Sequence, residues 1–343
     1  MKFSLTYGFH SLTGDWASLY ENALEQISLA EKYGFNSVFV SEHHFTKDGW
    51  FPSSRIACAG IATRTSKIRV GTAIVVLPLD NPIRVAEEAA LLDIISMGRF
   101  ILGVGVGNRE EEFEAFGVPF SERGSRFEEG VTLVKKLLSE PKVTFIGKHY
   151  RIKGISIMPK PIQKPSPPLW IAAQWSTKAV KRAARLGDAW LTDPITPIGV
   201  LKNHMKVYRE ELKRVGKDFY ELERPLRREA YISENAEKAW EEAKDGILYL
   251  YGENYYRWGA LQDEDGSPLT PERISFDDYV EALKKRFIIG GPEDFISEVE
   301  RYKKELEVNN IVLRVQFPGI PNERVIKAIK LIGEKVIPYF KQT

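Results

Sequence analysis

A single cysteine in 343 residues excludes an internal disulfide and any cysteine-rich metal site. That residue, Cys58, lies in "IACAGIA", where it reads as a small buried apolar side chain. Charge of one sign is missing too: Lys plus Arg number 49 against 47 Asp plus Glu, so nothing favours nucleic acid or an anionic bilayer, and a small-molecule partner is expected. No apolar run approaches the roughly 18 residues of a membrane helix. The opening "MKFSLTYGFH" has no signal-peptide core, which predicts a soluble, cytoplasmic protein.

What is present is an alternation of short β-rich runs with stretches of helical period, the pattern of a parallel sheet covered by helices. "KFSLTY" precedes a helix with Leu19, Ala23, Leu24, Ile27 and Ala30 on one face and Gly34 as its stop. "SVFV" at 37–40 precedes a helix over 53–65, and "KIRVGTAIVVLP" at 67–78 precedes one from Pro82 to Met97. "RFILGVGVG" at 99–107 leads to a helix over 121–139 with Phe127, Val131, Val134 and Leu138 on a stripe. "KVTFIG" and "HYRIKG" read as an inserted hairpin.

"PLWIAA" with a helix from Ser176 to Leu186, "DAWLT" with a helix to about 216, "LRREAYIS" at 226–233 and "NIVLRVQF" at 310–317 complete eight strands. A helix at 292–307 precedes the last strand, and another at 321–340 follows it. The count, without a linker or a composition break, predicts one domain over 1–343 with a (β/α)8 barrel fold. Residues 236–288, rich in Tyr, Trp, Glu and Asp, break the rhythm and read as an insertion or lid in the seventh connection.

In such a barrel the chemistry follows the strand ends. His43 and His44, two of only five histidines, follow the second strand, where imidazole can serve as acid, base or donor. A loop histidine satisfied by a backbone carbonyl is the plainer alternative, and no partner motif supports a metal. "GVGVGN" at 103–108 lacks the dinucleotide spacing and leads into the acidic "REEEFEAFG". Its glycines suit either a flat ring lying against the backbone or a close turn.

In "QWSTKAV", Gln174, Ser176 and Thr177 lie where a helix begins, which suits a phosphate or an ordinary N-cap. Arg123 and Arg126 could join such a phosphate or pair with Glu122 and Glu129. Trp50, Phe51, Trp175, Trp190, Tyr255, Tyr256 and Trp258 could wall a pocket or pack the core.

Together, "YGFNSVFVSEHHFTKDGW", "KIRVGTAIVVLPLDNPIRVAEEAALLDIISMGRFILGVGVGN", "EAFGVPFSERGSRFEE", "PPLWIAAQ" with "AARLGDAW", and "LRVQFPGIPNERVIKAIKLIGEKVIPYF" resemble the bacterial luciferase-like flavin-dependent monooxygenase family. Residues 236–288 carry none of the likeness. The resemblance implies a TIM barrel that binds reduced FMN at its C-terminal mouth. It gives His43 the catalytic role of the first histidine in "EHH", with His44 beside it. It places a non-prolyl cis peptide at Ala73 and Ile74 against the isoalloxazine, with Gly105 near the ring. Gln174, Ser176 and Thr177, together with Arg126, become candidates for holding the cofactor and its phosphate.

Where luciferase has a cysteine followed by an arginine, this chain has Gly105 and Val106, and no luciferase-like aldehyde cover follows the seventh strand, so light emission is not implied. The implied chemistry is addition of dioxygen at flavin C4a and oxidation of a small substrate by the peroxyflavin, with FMNH2 from a separate NAD(P)H flavin reductase. An F420-dependent hydride-transfer enzyme is the alternative, and a flavin-binding protein without turnover is a third. Family pairing implies a homodimer through helices 53–65 and 82–97.

Overall fold

Runs rich in Val, Ile, Leu and Phe give eight strands: β1 (Lys2–Tyr7), β2 (Ser37–Val40), β3 (Arg69–Thr72), β4 (Phe100–Gly105), β5 (Leu169–Ala172), β6 (Ala189–Leu191), β7 (Pro225–Ile232) and β8 (Asn310–Arg314). In this computed structural model, which describes residues 1–174, 176–256 and 261–342 without the side chains of Glu253 and Asn254, they pair in parallel in the order β7-β8-β1-β2-β3-β4-β5-β6. The sheet curls until its ends meet: the Arg227 amide on β7 donates to Thr192 Oγ1, just past β6, at 3.0 Å.

Paired residues of a parallel sheet share a face, so the curl has two apolar surfaces. The concave one packs Phe39, Ile101, Trp170, Leu191 and Val312, with the Phe39 and Trp170 rings 4.9 Å apart. The convex one sets Leu5, Val38, Val70, Leu102 and Ile171 against the helices. Glycine is required where β3 and β4 approach: a Cβ on Gly103 would lie 1.9 Å from the Thr72 carbonyl oxygen.

The helices obey local rules. Trp16–Lys32 starts where Asp15 accepts from the Ser18 amide and stops before Gly34 at φ +83, burying Ala23, Leu24, Ile27 and Ala30. Pro82–Ile95 has proline in its first turn and the Asn81 side chain accepting from the Ile83 amide.

The expected hairpin forms, with Val143–Ile146 antiparallel to Arg151–Ile155. Residues 67–78 are not one strand. β3 ends at Thr72, the Ala73–Ile74 peptide is cis, and Val75–Val76 re-enters alongside β4. A helix at Glu110–Ala115 was read only as an acidic run, its six residues being too short for a periodic signal.

After β7 the chain forms the helix Ala236–Leu250, a π turn over Tyr251–Tyr256, a short pairing of Leu261–Gln262 with Pro268–Leu269, and the helix Phe276–Lys284. Ile288–Gly290 then pairs in parallel with β7, a strand the sequence reading missed because only three residues make it. The final helix is divided by a π turn at Ile332–Val336. Among the described residues no helix is long and apolar enough to cross a membrane.

Candidate active site

Past the end of β2 the backbone delivers Ser41, Glu42, His43 and His44 in succession. Glu42 is buried and turned to structure: its Oε2 accepts from the Ser54 amide at 2.9 Å and the Ser54 hydroxyl at 2.7 Å, and its Oε1 lies 3.8 Å from His44 Nε2. Burial opposes its ionisation, but the nearby His44 imidazole and the hydrogen bonds from Ser54 outweigh this and hold the carboxyl below its usual range.

Glu112, on the short acidic helix, organises the histidine pair. Its Oε1 lies 3.1 Å from His43 Nδ1, accepts from the His44 amide at 2.9 Å, and meets Arg109 Nη1 at 3.2 Å. Arg109 also donates to the His44 carbonyl at 3.0 Å and pairs with Glu111. Burial again opposes ionisation of Glu112, and the hydrogen bond and charge of His43 overcome it, so its carboxyl also lies low. An ionised Glu112 assigns the His43 Nδ1 proton, which leaves Nε2 to exchange a proton with a ligand.

Trp50 is the hub of this corner. The His43 ring meets it edge-on at 4.3 Å, the His10 ring lies 4.3 Å away on another side, and the Arg314 guanidinium sits 5.5 Å over the indole. The indole N–H donates to Ser41 Oγ at 2.8 Å, and Ser41 in turn to the Tyr7 carbonyl at 3.1 Å. His10, only 2% exposed, holds Asp48 Oδ2 at 2.7 Å through Nδ1, while its Nε2 has no hydrogen-bond partner among the described residues. Burial outweighs Asp48 and lowers the His10 pKa to about 4. Asp48, despite its own burial, is held at about 2 by the hydrogen bond from His10. His10 and Asp48 belong to the site, and sequence reasoning passed over them because they are separated by 38 residues and carry no motif.

The ends of β3, β4 and β5 converge next to it. A Cβ on Gly105 would sit 2.8 Å from Ile74 Cδ1 and 3.7 Å from the Ala172 Cβ, so Ile74, Gly105 and Ala172 meet there, while the Ala73 amide donates to the Val40 carbonyl at the end of β2 at 2.7 Å. Beyond β5, Ser176 stands at the N-terminus of the helix Thr177–Leu186, but its hydroxyl makes no capping bond. Its amide donates to the Gln174 carbonyl at 2.6 Å, and Ser176 and Thr177 are exposed.

Arg126 is engaged elsewhere: its Nε and Nη2 hold Glu122 Oε2 at 3.0 and 2.9 Å, so no described contact joins it to Ser176 or Thr177. Arg123 lies over the Phe120 ring at 3.7 Å. Of the aromatics, Trp50 and Phe51 flank the site, with Phe51 5.1 Å from Phe9. Trp190 is core, donating to the Ala173 carbonyl at 2.9 Å, and Tyr256 packs 4.8 Å from Tyr279. Trp175 and Trp258 lie outside the described residues.

The profile of the luciferase-like monooxygenase family matches residues 1–307. The chain belongs to this family. Monooxygenases are among the relatives, and this protein is a luciferase-like enzyme. It is 30% identical over 339 residues to the uncharacterized protein y4vJ of Sinorhizobium fredii, covering 96% of this chain and 93% of that one. It is 26% identical to the oxygenase component of the flavin-dependent trigonelline monooxygenase of Acinetobacter baylyi, covering 88% and 86%. It is also similar, at 28% identity over 80% of this chain and 81% of the other, to the F420-dependent glucose-6-phosphate dehydrogenase of Kineococcus radiotolerans. Among solved structures, a monooxygenase from Streptomyces bottropensis superposes with a TM-score of 0.87 at 24% identity, covering 99% and 100%, which shows the shared fold.

Proposed function

We propose that this luciferase-like enzyme is the oxygenase of a two-component system. It takes reduced FMN from a separate NAD(P)H flavin reductase and uses dioxygen to oxidise a small organic substrate. The observation that carries this reading is the His43–Glu112 pair just past β2, whose last residue Val40 accepts from the Ala73 amide, with Ile74 packed against Gly105 on the neighbouring strand ends. The likeness to an oxygenase component named as flavin-dependent supports it.

The residues fit a flavin. The missing Cβ at Gly105 leaves the Ile74 side chain room to lie flat against β4, a floor for a tricyclic ring. The Ser176 hydroxyl, which makes no capping bond, with the helix N-terminus behind it, suits a phosphate. Bound there, reduced flavin would supply the electrons that activate dioxygen. Ala73, Ile74 and Gly105 would then support the ring, and Gln174, Ser176 and Thr177 would hold the ribityl phosphate, joined by Arg126 if it releases Glu122. His43 Nε2 would move a proton beside the reacting atoms while Glu112 fixes its ring, and His44 would line the pocket.

On this reading the curled sheet is a complete (β/α)8 barrel forming one domain over 1–343, with residues 236–288 as a lid that excludes water. The protein is a cytoplasmic homodimer pairing through Ser54–Arg64 and Pro82–Ile95, where Ile56, Leu91 and Ile95 are exposed. The likeness to an F420-dependent dehydrogenase supports a second reading, hydride transfer to or from F420 without oxygen.

Equilibrium binding of FMN and of F420, followed by flavin fluorescence, tests the first step. Tighter binding of FMN is expected. Absence of FMN binding together with retention of F420 would replace the oxygenase reading with the hydride-transfer one.

A further inference from the structure

The concave face of the sheet buries guanidinium donors that no described residue satisfies. Val312 packs inside the curl, so Arg314, two residues on along β8, points the same way. On β7, Arg227 is in register with Val312 and Glu229 with Arg314, which puts both on the same inner face. Among the described residues, two guanidinium groups here approach the one carboxylate of Glu229. Arg314 is 1% exposed, and its Nε lies 3.4 Å from Glu229 Oε2. The closest approach of Arg227 to Glu229 is 3.9 Å.

Neither contact is a hydrogen bond: Arg314 Nε, Arg227 Nε and Glu229 Oε2 are all buried without a hydrogen-bond partner among the described residues. Glu229 spends its other oxygen on the Tyr251 hydroxyl at 2.5 Å. Asp193, the next acid along the inner face past β6, is closed on itself, accepting from the amides of Ile195 and Thr196 and the Thr196 hydroxyl. Beside Trp50, His10 is neutral at physiological pH, and the ionised Asp48 spends Oδ2 on His10 and Oδ1 on the Trp50 amide. Among the described residues two guanidinium Nε donors are therefore left unsatisfied in a corner walled by Trp50 and Tyr251, and a buried donor without a partner is costly unless a ligand completes it.

We propose that Arg227 and Arg314 form an anion subsite that takes the carboxylate of a small organic substrate and sets the rest of that molecule beside Trp50 and His43. The guanidinium fork matches a planar carboxylate in two parallel hydrogen bonds. The phosphate of a cofactor is the poorer occupant, because Ser176 and Thr177 follow β5, five places from β8 in the sheet order. As a statement about substrate class, the assignment rests on the oxygenase reading, but the subsite itself does not require a flavin.

The probes are benzoate and its neutral isostere benzamide, titrated by calorimetry into the protein alone and into the protein loaded with oxidised FMN. Benzoate is expected to bind at least about tenfold more tightly than benzamide. Arg227→Gln is expected to erase that preference with FMN affinity unchanged, and Arg227→Lys to keep part of it. Arg227 is the variant of choice because its side chain is 14% exposed, whereas Arg314 also packs over Trp50.

Equal affinity for the two probes, no benzoate binding, or a preference that survives in Arg227→Gln would overturn the subsite. So would an Arg227→Gln protein that loses FMN binding while keeping its benzoate preference, which would reassign the arginine to the cofactor. Failure of the wild type to bind FMN, with the benzoate preference intact, would instead sink the flavin reading and leave the subsite standing.

Discussion

His43 is one imidazole with two sides, and the structure uses them differently. Nδ1 is tied to the buried Glu112, so substitution should separate binding from chemistry. In His43→Ala, FMN affinity is expected to stay within about threefold of wild type, while product formed per flavin oxidised falls by about a hundredfold, within the range general acid–base groups contribute. Product and hydrogen peroxide yields measured side by side check this, and unchanged coupling would remove His43 from the mechanism.

His10 makes a pH-dependent prediction. Its native pKa of about 4 lies below the ordinary 6.5, so between those values the unfolded chain binds a proton that the native state refuses. Its contribution to stability is therefore full above pH 6.5 and lost as pH falls toward 4. Thermal unfolding across that window should show Tm dropping with acidity, and His10→Gln should flatten the slope. An unchanged slope would contradict the burial argument.

The histidine pair was legible in the sequence because a strand end and a family motif coincide there. Glu112 was not, since its 69-residue separation from His43 is bridged only in three dimensions. Arg227 and Glu229 were hidden in the unbroken charged run "RRE" of "LRREAYIS", where Arg228 between them masks the two-residue period that puts both on one face.

Among the elements, β3 and β4 show how closely sequence and packing are joined. The Thr72 carbonyl occupies the space of a Gly103 side chain, so Gly103→Ala cannot be absorbed by a rotamer change. A loss of about 3 kcal/mol is expected from such overpacking, visible as a lowered denaturant midpoint. A midpoint equal to wild type would show that the strands can part.

Most elements were readable because their apolar residues recur at 3.6 or 2 and their ends carry Asp15, Gly34, Asn81 or Pro82. The exceptions are short or irregular. Ile288–Gly290 and Glu110–Ala115 are too brief for a period to emerge, and the division of 67–78 depends on the Ala73–Ile74 bond, which composition does not reveal. Only the family resemblance pointed to that bond.

At the scale of the whole molecule, the eightfold alternation of strands and helices specifies a sheet curled on itself, and the site lies at its C-terminal rim because each strand releases its loop there. What composition and period left open is how copies associate. Ile56 is 70% exposed, Leu91 45% and Ile95 44%, an apolar face on the two helices where pairing is proposed. Light scattering should return twice the mass of one chain, and Leu91→Glu combined with Ile95→Lys should halve it. A wild-type monomer would leave that face without a partner.

The central claim, that this mouth holds reduced FMN and turns it against dioxygen, is tested most directly by anaerobic titration with reduced FMN and, in parallel, reduced F420, each complex then being mixed rapidly with dioxygen. The account predicts that FMN binds more tightly and that its complex passes through a transient spectrum distinct from both reduced and oxidised flavin. Preferential binding of F420, with a complex inert to oxygen, would contradict it.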